Sequence, residues 1–173
     1  MKRCHFWILG ATLIATSIGC TAQTNNIDSS TVPTLDLDRY MGRWYEIARF
    51  DHRFERNLEQ CEAIYKRLPE GKISVENSGV NAITGKHKTS YGKAHAGKSP
   101  GQLRVSFFWF FYSDYNIFAL DDDYQWSLVG SRSPDYLWIL SRTPQLPKQT
   151  LDSILNIARK RGYDTSKLIF VKQ

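Results

Sequence analysis

An all-β domain with one late helix is the fold that this 173-residue sequence predicts. Eight segments alternate apolar and polar residues at regular intervals, and turns rich in glycine, proline and aspartate separate them. Toward the end of the chain the apolar period lengthens from two residues to about 3.6, the period of an amphipathic helix. The composition, 42% hydrophobic and 13% aromatic, supports a packed core and excludes a disordered chain.

The strand candidates are joined by short connections, which favour antiparallel neighbours. In chain order they cover roughly residues 44–50, 61–68, 72–80, 86–96, 103–108, 115–121, 126–131 and 136–142. This spacing fits an eight-stranded antiparallel up-and-down barrel, and it fits a two-sheet sandwich nearly as well.

A single helix follows the strands. Its apolar face is indicated by large hydrophobic residues at positions i, i+3, i+4 and i+7, namely Leu151, Ile154, Leu155 and Ala158. Gly162 is the predicted stop, because glycine is common just past a helix C-terminus. Residues 168–171 are apolar and rich in strand-forming types, so they predict a short final strand.

The beginning of the chain has a different character. Lys2 and Arg3 precede an apolar run over residues 6–18, which is too short to span a bilayer permanently. This pattern predicts a secretory signal peptide over residues 1–19. Cys20 follows Ser-Ile-Gly, which resembles the bacterial lipoprotein box, in which the cysteine is acylated and becomes the new N-terminus.

Residues 20–33 are polar and predict an acylated cysteine followed by a flexible tether, with the globular domain at residues 34–173. Several acyl chains hold a protein on a membrane stably, whereas one chain alone binds marginally. Thr21 is not aspartate, which in enterobacteria-like sorting rules indicates the outer membrane. Secretion without lipid, after cleavage near Ala22, is the alternative.

Three stretches in order resemble the motifs of the lipocalin family. They are Gly-Arg-Trp-Tyr-Glu-Ile at 42–47, Tyr-Asn-Ile-Phe-Ala-Leu-Asp at 115–121 and Tyr-Leu-Trp-Ile-Leu-Ser-Arg at 136–142. Their flanks resemble in particular the bacterial outer-membrane lipoprotein lipocalins, relatives of apolipoprotein D. The resemblance covers about residues 33–172 and implies the eight-stranded barrel, with a C-terminal α-helix and a short final strand, rather than the sandwich. It also implies a lipid-anchored location at the outer membrane.

Four motif residues have a structural role by this resemblance: Gly42, Trp44, Asp121 and Arg142. In lipocalins the arginine packs its guanidinium across the first-strand tryptophan at the closed end of the barrel. A planar cation over an indole face contributes about 1–2 kcal/mol when it is sheltered from water. We therefore expect Arg142 to stabilise the fold rather than to bind a ligand.

Candidate ligand-binding residues follow from strand alternation. Tyr136, Trp138 and Leu140 share the face of Arg142, which points inward if the arginine lies at the barrel floor. The same parity places Ala48 on the face of Trp44. Ile117 is a further candidate, although alternation alone does not decide which face of the sixth strand points inward.

The run of six aromatic residues at 107–112 adds two candidates, Phe107 and Trp109. Six consecutive aromatics cannot alternate between interior and exterior, so part of the run must lie on a loop at one barrel end. This loop is either simply well packed or an apolar lip that meets acyl chains or the membrane surface. Arg53, in a charged stretch, is a candidate for contact with a lipid head group.

Charge and motifs argue against several other functions. The net charge is +6, without the basic blocks of a nucleic-acid-binding chain. His52, His87 and His95 stand alone, so no metal site is expected, and the sequence has no cofactor or catalytic motif. Cys61 is expected to be an inert buried residue, with a reactive thiol or a disulfide between two chains as alternatives.

The resemblance thus implies a membrane-anchored, non-enzymatic protein that binds fatty acids or lysophospholipids in the barrel cavity. Lipid transport, storage or scavenging in the cell envelope under stress would be its role, and a homodimer is compatible with the sequence. A lipid-modifying enzyme on the same fold, with Cys61 as nucleophile, is one alternative. A scaffold lipoprotein with no ligand is the other.

Overall fold

The structure, a computed structural model, describes residues 27–173. The predicted signal peptide, residues 1–19, and the predicted lipidation site, Cys20, lie outside the described residues. The elements in chain order are α1 (Leu37–Tyr40), β1 (Gly42–Arg49), β2 (Leu58–Arg67), β3 (Lys72–Asn81), β4 (His87–Ala96), β5 (Gln102–Phe108), β6 (Phe111–Leu120), β7 (Trp126–Gly130), β8 (Leu137–Ser141), α2 (Lys148–Lys160) and β9 (Ile169–Phe170).

Strands β1 to β8 form one antiparallel sheet that closes on itself. Each strand pairs with the next along the chain, and β8 pairs back onto β1, where Tyr45 faces Ser141. On its other side β1 pairs with β2, where Gly42 faces Tyr65. The prediction of an eight-stranded up-and-down barrel is therefore confirmed, and the sandwich alternative is wrong.

Two β-bulges decide which residues face outward. One interrupts β1 at Ile47 and the other interrupts β6 at Phe118. A bulge inserts an extra residue into one strand, so the alternation between faces is out of step beyond it. Ile47, Ala48 and Phe118 consequently pack outside the barrel, in the cluster that includes Ile154 and Ala158 of α2.

Helix α2 covers this outer side because its apolar face is buried. Ile154 and Ala158 are fully buried, at the positions that the helical period predicts. The helix ends at Lys160, and Gly162 adopts a φ of +93°, a left-handed conformation that glycine adopts without a Cβ clash. The amide of Tyr163 then donates to the carbonyl of Ala158 at 3.1 Å, which completes a Schellman cap.

The described part of the predicted tether, residues 27–33, is bonded to the barrel. The amide of Asp28 donates to the carbonyl of Arg161, and that of Val32 to the carbonyl of Ile117, each at 2.9 Å. The polar composition that predicts a tether gives no sign of these backbone bonds.

The last strand lies outside the closed sheet. Strand β9 pairs with Ala48 and Arg49 of β1, at the end where β2 has separated from β1. Beyond it, the amide of Gln60 donates to the carbonyl of Lys172 at 2.6 Å. These contacts fill the gap between the two strands. Across residues 27–173, the helices are all too short or too polar to span a bilayer.

Candidate functional site

The barrel holds a cavity of about 850 Å³ that opens at one end. Its lining includes residues of the loops that join β1 to β2 and β7 to β8, together with the ends of β5 and β6 next to the turn that joins them, so these segments form the mouth. We call this the open end. The opposite end is covered by α1 and the first residues of β1. An eight-stranded barrel has interior room for one small ligand.

The closed end is built around Trp44 and Arg142. The guanidinium carbon of Arg142 lies 3.8 Å from the centroid of the Trp44 ring. The same guanidinium donates to the carbonyls of Arg39 and Arg43, each at 2.7 Å. The indole N–H of Trp44 donates to the carbonyl of Tyr40 at 2.8 Å. This is the stacked arrangement that the lipocalin resemblance implies.

Gly42 and Asp121 also belong to the closed end. Gly42 has a φ of +94°, and a Cβ there would lie 3.4 Å from Nη1 of Arg142. The carboxylate of Asp121 accepts the amides of Asp123 and Gln125 at 3.1 and 3.2 Å, and so shapes the turn between β6 and β7. Both residues therefore act on backbone geometry.

The cavity has two unlike walls. Strands β5, β6 and β8 and the residue before β8 supply an apolar wall with the side chains of Val105, Phe107, Phe111, Tyr136, Trp138 and Leu140. Arg104, Asp114 and Arg132 also line the cavity from β5, β6 and the loop after β7. Strands β1 to β4 and the loop after β1 supply a polar wall with Glu46, Glu55, Cys61, Asn77, Lys88 and Ser90. An apolar surface with a few fixed polar groups is typical of sites for amphipathic small molecules.

The polar wall contains a buried ion cluster, which we call the carboxyl cluster and define as Glu46, Arg49 and Glu55. Arg49, only 2% exposed, donates through Nη1 to Glu46 at 2.6 Å and through Nη2 to the carbonyls of Glu55 and Leu58 at 2.7 and 3.1 Å. The indole of Trp138 donates to Glu55 at 3.1 Å. Burial raises the pKa of Glu46 to about 8 and that of Glu55 above its usual range.

Tyr65 and Tyr115 line the base of the cavity, and Tyr40 lies behind them. The hydroxyl of Tyr115 lies 2.8 Å from that of Tyr40 and 3.1 Å from that of Tyr65. Burial raises the pKa of all three groups, that of Tyr40 to about 12. The base is therefore polar but uncharged at neutral pH.

The aromatic run forms a hairpin tip at the open end, which we call the aromatic tip and define as Phe107–Phe111. Phe108 faces Phe111 across a two-residue turn of Trp109 and Phe110. Trp109 is 81% exposed and has a φ of +50°, a conformation that is unusual and strained for a bulky residue. Phe107 lines the cavity, so the tip joins the apolar wall to the exterior.

The predicted ligand-binding residues fall in different places. Tyr136, Trp138, Leu140 and Phe107 line the cavity. Ile117 is fully buried in the interior cluster that includes Trp44, where packing around it leaves it outside the cavity lining.

Three others do not line the cavity. Ala48 packs outside the barrel, because the bulge at Ile47 ends the alternation that would have turned it inward. Trp109 projects from the aromatic tip into solvent, and Arg53 is exposed in the loop between β1 and β2.

Alternation does not identify the carboxyl cluster. The bulge brings Arg49 inward beside Glu46, so two residues three apart in one strand meet. Glu55 reaches the same place from a loop whose path has no sequence period. The one available signal is the presence of five charged residues between positions 46 and 55, beginning within a mostly apolar strand.

Cys61 is 4% exposed and lies beside the carboxyl cluster. Burial and the neighbouring Glu46 raise the pKa of its thiol to about 12, so the thiol is protonated. This setting favours the inert interpretation over a nucleophile, since nucleophilic cysteines have lowered pKa values. Within residues 27–173, no three side chains of His, Cys, Asp or Glu are grouped to hold a metal ion.

Comparison with known proteins shows which protein family the chain resembles. The family model described as a lipocalin-like domain matches residues 35–173. The outer membrane lipoprotein Blc of Escherichia coli K12 is 42% identical over 168 residues, covering 96% of this chain and 95% of that protein. Apolipoprotein D of Macaca fascicularis is 34% identical over 149 residues, covering 80% and 77%. The predicted outer-membrane location and apolipoprotein D-like group are confirmed by these relatives.

The fold also matches solved structures. Insecticyanin from the tobacco hornworm Manduca sexta superimposes with a TM-score of 0.68 over 83% of this chain and 85% of that chain. The two sequences are 22% identical, so this likeness concerns the barrel alone.

Proposed function

The chain belongs to the lipocalin family, and we propose that it is a membrane-anchored protein that binds one fatty acid or lysophospholipid in its cavity. The observation that carries the proposal is the two-walled cavity, open at one end and sealed at the other. An acyl chain fits along the apolar wall of Phe107, Trp138 and Leu140, which removes it from water. The volume of about 850 Å³ lies within the range of small-molecule pockets.

The aromatic tip gives the lipid a route into the cavity. Exposed tryptophan and phenylalanine side chains favour the interface between water and acyl chains. An acyl anchor on Cys20 would keep the open end within reach of the membrane. In this proposal Phe107 and Trp109 meet the incoming acyl chain, and Arg53 contacts the head group at the rim. Ala48 and Ile117 act by packing.

The proposed action is binding without chemistry. The one described cysteine, Cys61, has a protonated thiol, and its neighbours Glu46 and Arg49 are hydrogen-bonded to each other. Transport, storage or scavenging of lipid in the cell envelope during stress are the roles that such a carrier can serve. A homodimer would be compatible with these roles, because two copies can associate without covering the open end of the barrel.

A fluorescence titration with a fatty acid and with a lysophospholipid tests the proposal. Ser90 lines the cavity, and Ser90→Trp fills it, whereas Thr89→Trp adds the same ring to the exposed face of the same strand. We expect one lipid per wild-type barrel, affinity at least about tenfold weaker in Ser90→Trp, and unchanged affinity in Thr89→Trp. Absence of lipid binding in the wild type, or equal affinity in Ser90→Trp, would overturn the proposal.

A further inference from the structure

The carboxyl cluster keeps two oxygens without a partner. Glu46 Oε1 accepts the bond from Arg49, and Glu55 Oε2 accepts the bond from Trp138. Within residues 27–173 no donor bonds to Glu46 Oε2 or Glu55 Oε1, although both residues line the cavity and Glu46 is only 7% exposed. Neither oxygen is among the unpartnered atoms that are sealed from solvent, so both are accessible from the cavity.

The charges of the cluster are also unequal. With both carboxyls ionised, Arg49 is the one cation of the cluster and opposes two negative charges. The other arginines that line the cavity, Arg104 and Arg132, are paired with Asp114. Lys88 lowers the pKa of Glu55, but its ammonium donates to the carbonyl of Phe54 at the exposed rim, where solvent screens its charge. His52 stays neutral, because burial and Arg49 lower its pKa. A proton or a cationic ligand group can neutralise the remaining charge.

We propose that Glu46 and Glu55 bind the ammonium group of a lysophospholipid head group, while the acyl chain lies along the apolar wall. This inference rests on the proposed function and selects amine-bearing lysophospholipids over fatty acids. Free carboxylate oxygens accept hydrogen bonds from an ammonium, and the ring of Trp138 beside Glu55 suits a cation. A fatty acid offers these oxygens no cation, and the ionised cluster would repel its carboxylate.

The same carboxyls couple binding to pH. Because the pKa of Glu46 is raised to about 8, this group carries a proton at neutral pH in the empty cavity. A bound ammonium favours the ionised form, so binding releases the proton, and affinity for the amine lipid rises as pH increases toward this pKa. A fatty acid has the opposite dependence. The thiol of Cys61 and the hydroxyl of Tyr65, which also interact with the carboxyls, both have raised pKa values and stay protonated.

Calorimetric titration of the full mature protein tests this subsite with two lysophospholipids of the same acyl chain, one with an ethanolamine head group and one with a glycerol head group. Just above the pKa of Glu46, we expect the ethanolamine lipid to bind about tenfold tighter or more. Below that pKa, binding should release a proton, measured from the dependence of the heat on the ionisation enthalpy of the buffer.

Two variants test whether Glu46 and Glu55 cause the preference for the ethanolamine lipid. Glu46→Gln and Glu55→Gln, which keep the size of each side chain, should bring the affinity ratio close to one, chiefly by weakening binding of the ethanolamine lipid. Glu76→Gln is the matched control, because Glu76 lies on β3 and does not line the cavity. Thermal unfolding of each variant verifies that it is folded, and the pH dependence of the wild type tests the subsite without any substitution.

The outcomes separate this inference from the proposed function. Equal affinities for the two lipids, a preference that both variants retain, or tighter binding of the glycerol lipid would overturn the ammonium subsite while lipid binding stands. Binding of neither lipid would overturn both.

Discussion

Each end of the barrel holds an arginine, and the two arginines differ in how fully their guanidinium groups are hydrogen-bonded. At the closed end, the guanidinium of Arg142 donates to three backbone carbonyls and covers the ring of Trp44. Near the open end, Arg49 is more deeply buried, yet its Nε has no hydrogen-bond partner and lies 4.0 Å from Glu55. The first site is saturated by the protein itself, and the second is not.

This difference indicates where the chain stabilises its fold and where it binds. A satisfied buried network rigidifies the structure, whereas an unmatched one costs free energy that a ligand can recover. The strained backbone of Trp109 and its exposed ring are two further unfavourable features, and both also lie at the open end. The closed end should therefore govern stability, and the open end should govern lipid binding.

The largest expected effect on stability is at the closed end. Arg142→Ala removes the stacked cation and leaves three carbonyls without their donor, so we expect the free energy of unfolding to fall by about 2–4 kcal/mol. Denaturant unfolding measures this loss. Arg39→Ala is the control, because the exposed Arg39 side chain stacks on Tyr124 at the same end and should contribute less than about 1 kcal/mol. Unchanged stability with weakened lipid affinity would reverse the assignment of the two ends.

A smaller effect on stability is expected from Glu46 and depends on pH. Its folded-state pKa, about 8, lies above the ordinary value of 4.5, so the folded protein binds this proton more tightly than the unfolded chain. The resulting stability is present below the ordinary pKa and is lost as pH rises through the folded one. Glu46→Gln should flatten this decline by about 1 kcal/mol or more, and Glu76→Gln should leave it unchanged. Denaturant unfolding at a pH below the ordinary pKa and at a pH above the folded-state pKa measures this loss of stability. A steeper loss of stability in Glu46→Gln than in the wild type would contradict the prediction.

How far the sequence predicts the molecule differs between the same two ends. The closed end can be predicted from the sequence, because Gly42, Trp44 and Arg142 belong to motifs that resemble those of lipocalins, and the resemblance implies their roles. All eight barrel strands and α2 are predicted for a similar reason, since period and turn chemistry are local properties. The sequence pattern does not predict the bulge at Ile47. This bulge turns Ala48 out of the barrel interior and Arg49 into it.

The smallest expected change in stability is at the aromatic tip. Glycine tolerates the φ of +50° that Trp109 adopts, so Trp109→Gly should leave the free energy of unfolding unchanged or raise it by up to about 1 kcal/mol. Transfer of lipid from vesicles should slow, because the exposed ring is lost. Tyr91→Thr removes another highly exposed aromatic, from β4, and should not change transfer. A loss of folding in Trp109→Gly would mean that the tip is a packing element.

Native mass spectrometry of the soluble form that begins at Thr21, purified from cells and followed by lipid extraction, tests the central claim most directly. We expect one fatty acid or lysophospholipid per wild-type barrel and an empty barrel for Ser90→Trp, with Arg142→Ala retaining lipid in its folded fraction. A wild-type barrel that stays empty even after lipid is added would contradict the claim that the open end is built to hold a lipid.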